Sequence, residues 1–269
     1  MGARCSRPVA LHSNAVRRIL LLPFLVACAP LSTGRYAPTV KAVPASAPRE
    51  ASASVSPWRE VGRSVEARPL RVRTVGHGPR RVLWVGGIHG NEPEGSIATA
   101  ALPADFLAAG LADRVTLTIL EDANPDGRAN KTRGNARGID LNRNYPARNF
   151  VPSKDRGAAP LSEPEARVVH DLVQSIQPDL MIVCHSWNDR QFINFDGPAH
   201  DLARRFAELS GYPLVASSAI NATPGSLGSF VGHDLGRAIL TIEWKKGRDW
   251  QEAWEETRTA ALAVIGGEP

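Results

Sequence analysis

Four short apolar runs, at residues 81–88, 114–120, 179–184 and 238–244, limit what this 269-residue chain can become. Each has the length of a buried strand and is too short for a core helix. An alternating segment at 69–75 (PLRVRTV) reads as a further strand. Helical patterns fall between the runs, at 93–109, 163–176, about 199–210 and about 249–265. Pro103 is expected to interrupt the first of them, and Ser162 with Glu165 matches a capping box at the start of the second. Strands alternating with helices imply an α/β layer structure, in which ligands gather in loops beyond the carboxyl ends of strands. A polar segment from 121 to about 161, rich in Gly, Asn, Arg and Pro, is too long for an idle loop. A Gly/Ser-rich loop spans 221–236.

The first fifty residues are of another kind. Arg17-Arg18 precedes the apolar run from Ile19 to Ala27, and Cys28 follows. A basic flank, a short apolar core and a small residue at the exit describe a secretory signal peptide over residues 1–27. The run is about half the length of a membrane span. Leu25-Val26-Ala27-Cys28 resembles the bacterial lipobox, which implies a lipid on Cys28 and a tether to a membrane surface. Ala29 lacks the acidic character that retains such proteins at the inner membrane. The expectation is an exported, periplasmic lipoprotein anchored at the outer membrane. Residues 28–56, rich in Ala, Pro and Ser, read as an extended tether, leaving 57–269 as the folded domain.

This division settles the charge. The formal +5 of the whole chain first points to nucleic acid. Residues 1–27 hold four arginines and no acid, and the domain from 57 onward holds 25 basic and 26 acidic side chains. The domain is therefore near neutral, and no nucleic-acid partner is expected. Of the three cysteines, Cys5 leaves with the signal and Cys28 carries lipid, so Cys184 has no disulfide partner.

Polar residues at the strand ends carry the chemistry. His89-Gly90-Asn91-Glu92 follows the 81–88 run, and a His and a Glu three apart reach one ion from a tight turn. That spacing alone is a weak signal. His185 ends the 179–184 run, where a histidine is often only a hydrogen-bonded edge residue. Two imidazoles and a carboxylate would nevertheless make a zinc site with an open position. Glu243 interrupts an apolar strand and reads either as a buried salt bridge or as a general base. In the long segment, Asn142-Arg143 has the donors to grip a carboxylate, and a second arginine suits an oxyanion. Cys184 should point away from His185 and reads as a packed strand residue.

Taken together, HGNE (89–92), NPDG (124–127), RGN (133–135), GIDLNRNYP (138–146), SEPEA (162–166), CHS (184–186) and TIEW (241–244) resemble the zinc carboxypeptidase superfamily in its order. The resemblance implies one zinc ion held by His89, Glu92 and His185. It implies Arg133 at the scissile carbonyl, Asn142 and Arg143 on the terminal carboxylate, and Glu243 as general base and acid. It also implies a mixed, twisted sheet of about eight strands with helices on both faces. GRSVEARPL (62–70), INFDGPA (193–199) and TPGSLGSF (223–230) are similar to the murein tripeptide amidases, which cleave between γ-D-glutamate and meso-diaminopimelate. That likeness implies peptidoglycan stem peptides as substrates, with Thr223 and Ser226 as substrate contacts and Asp196 near the diaminopimelate amine.

Two departures stand out. The mobile tyrosine of digestive carboxypeptidases has no counterpart in 221–236, and an export signal does not suit a cytoplasmic recycling enzyme. Two other readings compete with the amidase: an aspartoacylase-like or succinylglutamate-desuccinylase-like deacylase of N-acyl amino acids, and a non-catalytic wall-binding lipoprotein. The full GIDLNRNYP segment opposes the first, and the intact ligand set with Glu243 opposes the second.

Overall fold

The structure is a computed structural model that describes residues 55–217 and 223–267. The signal peptide, Cys28, the tether up to residue 54, and Asn221 and Ala222 of the Gly/Ser-rich loop lie outside the described residues. In chain order the elements are β1 (Arg59–Arg63), β2 (Pro69–Val75), β3 (Arg80–Val85), α1 (Glu94–Ala108), β4 (Val115–Leu120) and α2 (Pro125–Asn130). They continue with α3 (Pro164–Ile176), β5 (Leu180–Trp187), β6 (Phe192–Asp196), α4 (His200–Ser210), β7 (Leu214–Ala216), β8 (Ala238–Lys245) and α5 (Trp250–Gly266).

The strands form one mixed eight-stranded sheet in the order β1-β2-β4-β3-β5-β8-β6-β7. Its centre is parallel (β4-β3-β5-β8), while β2 joins β4, and β6 joins β8, in antiparallel fashion. Alternation divides the central side chains between two layers. Ile182, Cys184, Leu240, Ile242 and Trp244 pack under α1, α4 and α5. Met181, Val183 and Ile239 face α3 together with Leu141, Tyr145 and Phe230 of the long connections. The expected α/β sheet with helices on both faces is what the chain forms.

Several local expectations change. β5 and β8 run past their apolar cores, so His185 lies within a strand rather than after it. α1 continues through Pro103, which is buried, because packing outweighs the lost backbone hydrogen bond. The capping box before α3 does not form. Pro164 occupies the first turn, Glu163 becomes the N-cap, and Ser162 Oγ donates to Glu163 Oε1 instead. Glu165 is drawn away to accept the Val65 amide at 3.0 Å and the Asn135 side chain at 3.2 Å. Val55 and Ser56, read from the sequence as tether, pair with β2. β1, β6 and β7 have no strong apolar run and were not expected. The Gly/Ser-rich loop contains a π-helical turn, Gly228–Asp234.

Candidate metal centre and substrate site

Three parallel strands end side by side, and their exits carry the candidate residues. β3 leads into a turn over 86–93 that presents His89 and Glu92. This turn lies so close to α2 that a Cβ at Gly90 would overlap the Gly127 carbonyl carbon and the Arg128 amide. Asn124, fully buried, locks the arrangement. Its side chain caps α2 by accepting the Gly127 amide at 2.9 Å and donates to the carbonyls of Ile88 and Arg133, both at 3.2 Å. His185 and Glu243 occupy one rung of the β5-β8 ladder, so their side chains leave the sheet on the same face.

The donors converge. His89 Nδ1 lies 2.9 Å from Glu92 Oε2, His185 Nδ1 lies 3.0 Å from the same oxygen, and the two Nδ1 atoms are 3.0 Å apart. All three residues are buried. His89 Nε2 donates to Asp140 Oδ1 at 3.0 Å, which leaves the lone pair of Nδ1 facing its two partners. Although burial opposes it, the contacts with His185 and His89 hold the Glu92 carboxyl well below the usual carboxylate range. Burial likewise opposes the ionisation of Asp140, and His89, Arg133 and Arg143 outweigh it. Burial lowers the His89 pKa, but Asp140 and Glu92 more than reverse this. Three donor atoms with excess negative charge and no room between them for a side chain suit a cation. Two imidazoles and one carboxylate form a donor set of catalytic zinc.

Glu243 is 8% exposed, and its Oε2 has no hydrogen-bond partner. Burial pushes its carboxyl up to about 7, with Glu92 adding to the shift and His185 and Arg133 opposing it. A carboxyl held ready to exchange a proton near neutrality is suited to acid–base work. Arg133 reaches the donor group from the surface, with Nε donating to Asp140 Oδ2 at 2.9 Å and Nη1 to Glu92 Oε1 at 3.2 Å. Asn142 Nδ2 lies 3.2 Å from His185 Nε2, and Asn142 Oδ1 accepts the Leu227 amide at 3.0 Å. Arg143 donates to the Asn142 carbonyl at 2.7 Å and has no carboxylate partner among the described residues. Burial lowers its pKa. A half-buried guanidinium that feels Asp140 but is hydrogen-bonded to no carboxylate is a place for an anionic ligand.

The remaining candidates stand apart. Thr223 and Ser226 turn to each other, 3.2 Å between hydroxyls, and Ser226 Oγ accepts the Ser229 amide at the start of the π-helical turn. Neither hydroxyl hydrogen-bonds to Asn142 or Arg143. Asp196 is bound to His233 Nε2 at 2.9 Å and pairs with Ile239, whereas Phe192 of the same strand pairs with Glu243. It lies on the site face, beneath Gly228 and Gly232, where added Cβ atoms would overlap it. Cys184 points into the helix-covered layer, and burial pushes its thiol up, away from thiolate chemistry. Asp140 was not singled out from the sequence, although GIDLNRNYP contains it. Its partners are 51 residues upstream and 7 upstream, and no local pattern marks such a contact.

Comparison with known proteins agrees with this geometry. Residues 49–260 match the family described as zinc carboxypeptidase. Murein peptide amidase A of Escherichia coli is 31% identical over 180 residues, covering 60% of this chain and 70% of that protein. Gamma-D-glutamyl-L-diamino acid endopeptidase 1 of Lysinibacillus sphaericus is 25% identical over 243 residues, 70% of this chain and 60% of that one. The solved murein-tripeptide amidase of Escherichia coli O157 aligns with a TM-score of 0.63 and 25% identity over 80% of this chain and 94% of that chain. Thrombin activatable fibrinolysis inhibitor, 20% identical, shares the fold with a TM-score of 0.66 over 79% of this chain and 67% of that chain.

Proposed function

Because the chain belongs to the zinc carboxypeptidase family, we propose that it hydrolyses the γ-D-glutamyl-meso-diaminopimelate bond of peptidoglycan stem peptides. The observation that carries the hydrolytic reading is Glu243, buried beside the donor group with an unpartnered oxygen and a pKa near 7. The substrate class is supported by the relatives, two of which are a murein peptide amidase and a γ-D-glutamyl-diamino acid endopeptidase. It is also supported by Arg143, whose guanidinium is hydrogen-bonded to no carboxylate among the described residues, since diaminopimelate carries a carboxylate next to this amide.

His89, Glu92 and His185 would hold one zinc ion. Zinc supplies Lewis acidity that acidifies water and polarises a carbonyl. Glu243 takes the proton of the attacking water and delivers it to the leaving amine, a role that needs a pKa near the working pH. Arg133 gives up part of its bonding to Glu92 and Asp140 and stabilises negative charge on the carbonyl oxygen. Asn142 and Arg143 hold the diaminopimelate carboxylate. Asp140 keeps His89 in the tautomer with a free Nδ1. Asp196, on the same face and farther along β6, is assigned to the distal amine of diaminopimelate. Thr223 and Ser226 shape the loop that holds Asn142 through Leu227.

Export follows from residues 1–27, with lipid on Cys28 and anchoring at the outer membrane. The test is direct. Zinc-loaded protein is expected to release diaminopimelate from L-Ala-γ-D-Glu-meso-diaminopimelate, read by mass spectrometry. Cleavage of acylated aspartate or glutamate in its place would move the protein to the deacylases. Loss of membrane association on Cys28→Ser would support the anchor, and unchanged association would remove it.

A further inference from the structure

We infer that Trp187, Arg190 and Lys245 form a subsite for the acyl side of the substrate, selecting an acyl group that carries a free carboxylate. The inference rests on the amidase reading above and adds to it what the site recognises on the other side of the bond.

The register places these residues. His185 pairs with Glu243, and two residues on Trp187 pairs with Lys245. Side chains two apart on a strand share a face, so Trp187 and Lys245 stand on the same side of the sheet as His185 and Glu243, about 7 Å farther toward the strand ends. Phe192 pairs with Glu243 from β6, so its ring lies on this face as well. Trp187 packs edge-on against Phe192 with centroids 5.6 Å apart, and the Arg190 guanidinium lies 5.3 Å from the centre of the same ring. One buried ring beside Glu243 thus supports both an indole and a cation.

The rim is left unspent. Trp187 is 39% exposed and is the one large aromatic side chain more than a third exposed among the described residues. Arg190 and Lys245 are exposed and form no ion pair with any described residue. Asp189, the acid in the connecting turn, pairs with neither. Exposed Arg59, Lys131 and Lys154 also lack ion pairs among the described residues, so what distinguishes Arg190 and Lys245 is their place beside Trp187 and Phe192 at the ends of the site strands. An aromatic edge with two free cations next to the reacting position fits a short acyl group with an anionic tail. A γ-linked glutamate has this form. Its α-carboxylate lies four bonds from the scissile carbonyl, about 5 Å when extended, while Asn142 and Arg143 serve the opposite side of the bond.

The test compares L-Ala-γ-D-Glu-meso-diaminopimelate with the same tripeptide carrying a carboxamide in place of the glutamate α-carboxylate. Zinc-loaded wild type is expected to prefer the free acid about five- to tenfold in kcat/KM, mostly through KM, as befits two exposed charge contacts. The double variant Arg190→Met, Lys245→Met should lose this preference, its kcat/KM on the free acid falling toward that on the amidated peptide. Calorimetric binding of the two peptides to the Glu243→Gln protein should show the same preference without turnover. Equal cleavage of both peptides by wild type, or an equal loss on both in the double variant, would overturn the subsite alone. Cleavage of neither would overturn the amidase reading and the subsite with it.

Discussion

The sheet has one face under α1, α4 and α5 and another under α3 and the long connections, and β8 shows both within three residues. Ile242 and Trp244 enter the helix-covered layer, where the Trp244 indole finds the Thr257 hydroxyl at 3.2 Å. Glu243, between them, enters the other layer and leaves an oxygen without a partner. The first face is built almost wholly of apolar side chains and holds the fold. The second holds an arginine hydrogen-bonded to no carboxylate, a carboxyl that resists ionisation and three converging donors of the metal-binding type. The contrast teaches that stability and chemistry are separated here by strand alternation rather than by domain.

Substitutions on the two faces should therefore fail in different ways. Glu243→Gln is expected to lower kcat about 10²- to 10⁴-fold, the range for a general acid–base group, with the far-ultraviolet spectrum intact. An active, folded Glu243→Gln protein would erase the contrast. Trp244→Ala should instead cost about 3–5 kcal/mol in denaturant unfolding, through a large cavity under α5. If it inactivated without destabilising, the helix-covered face would also belong to the site.

Acidity sharpens the same comparison. The Glu243 carboxyl is raised from 4.5 to about 7 in the folded protein. Both states are protonated below 4.5, so this group penalises folding only as pH rises above the unfolded value, and the penalty is complete just above the folded one. In metal-free protein, Glu243→Gln should be more stable than wild type at pH 8 by at most about 3 kcal/mol, with no difference near pH 4. A pH-independent difference in melting would contradict the assigned burial penalty. The smallest effect is expected from Asp140→Asn, about 10- to 100-fold in zinc affinity by competitive chelation. Unchanged affinity would mean that the bond to His89 does not orient it.

Much of this face was legible in the sequence because its residues follow apolar strands. His89, Glu92, His185 and Glu243 each sit at or beyond the end of a run of five or more apolar or β-forming residues, where a polar side chain needs a reason. The sheet type followed from the same runs. Contacts between distant loops left no such trace. Asp140 on His89, Leu227 on Asn142 and Glu165 on Val65 are set by how connections pack, and no period or spacing encodes them. The capping box misled for a related reason. Its glutamate has the right offset from Ser162, but Val65, a hundred residues away, provides a partner that a local pattern does not reveal.

β8 is the last strand to be synthesised, yet it lies between β5 and β6. β6 and β7 join the rest of the sheet only through it. His89, Glu92 and His185 all belong to the part of the chain that precedes β8, whereas Glu243 belongs to β8 itself. On the proposed mechanism the proton carrier comes only with the final strand, which takes its place between β5 and β6. On that mechanism, every fragment short of residue 243 lacks its proton carrier, so activity appears only once the last strand has completed the sheet.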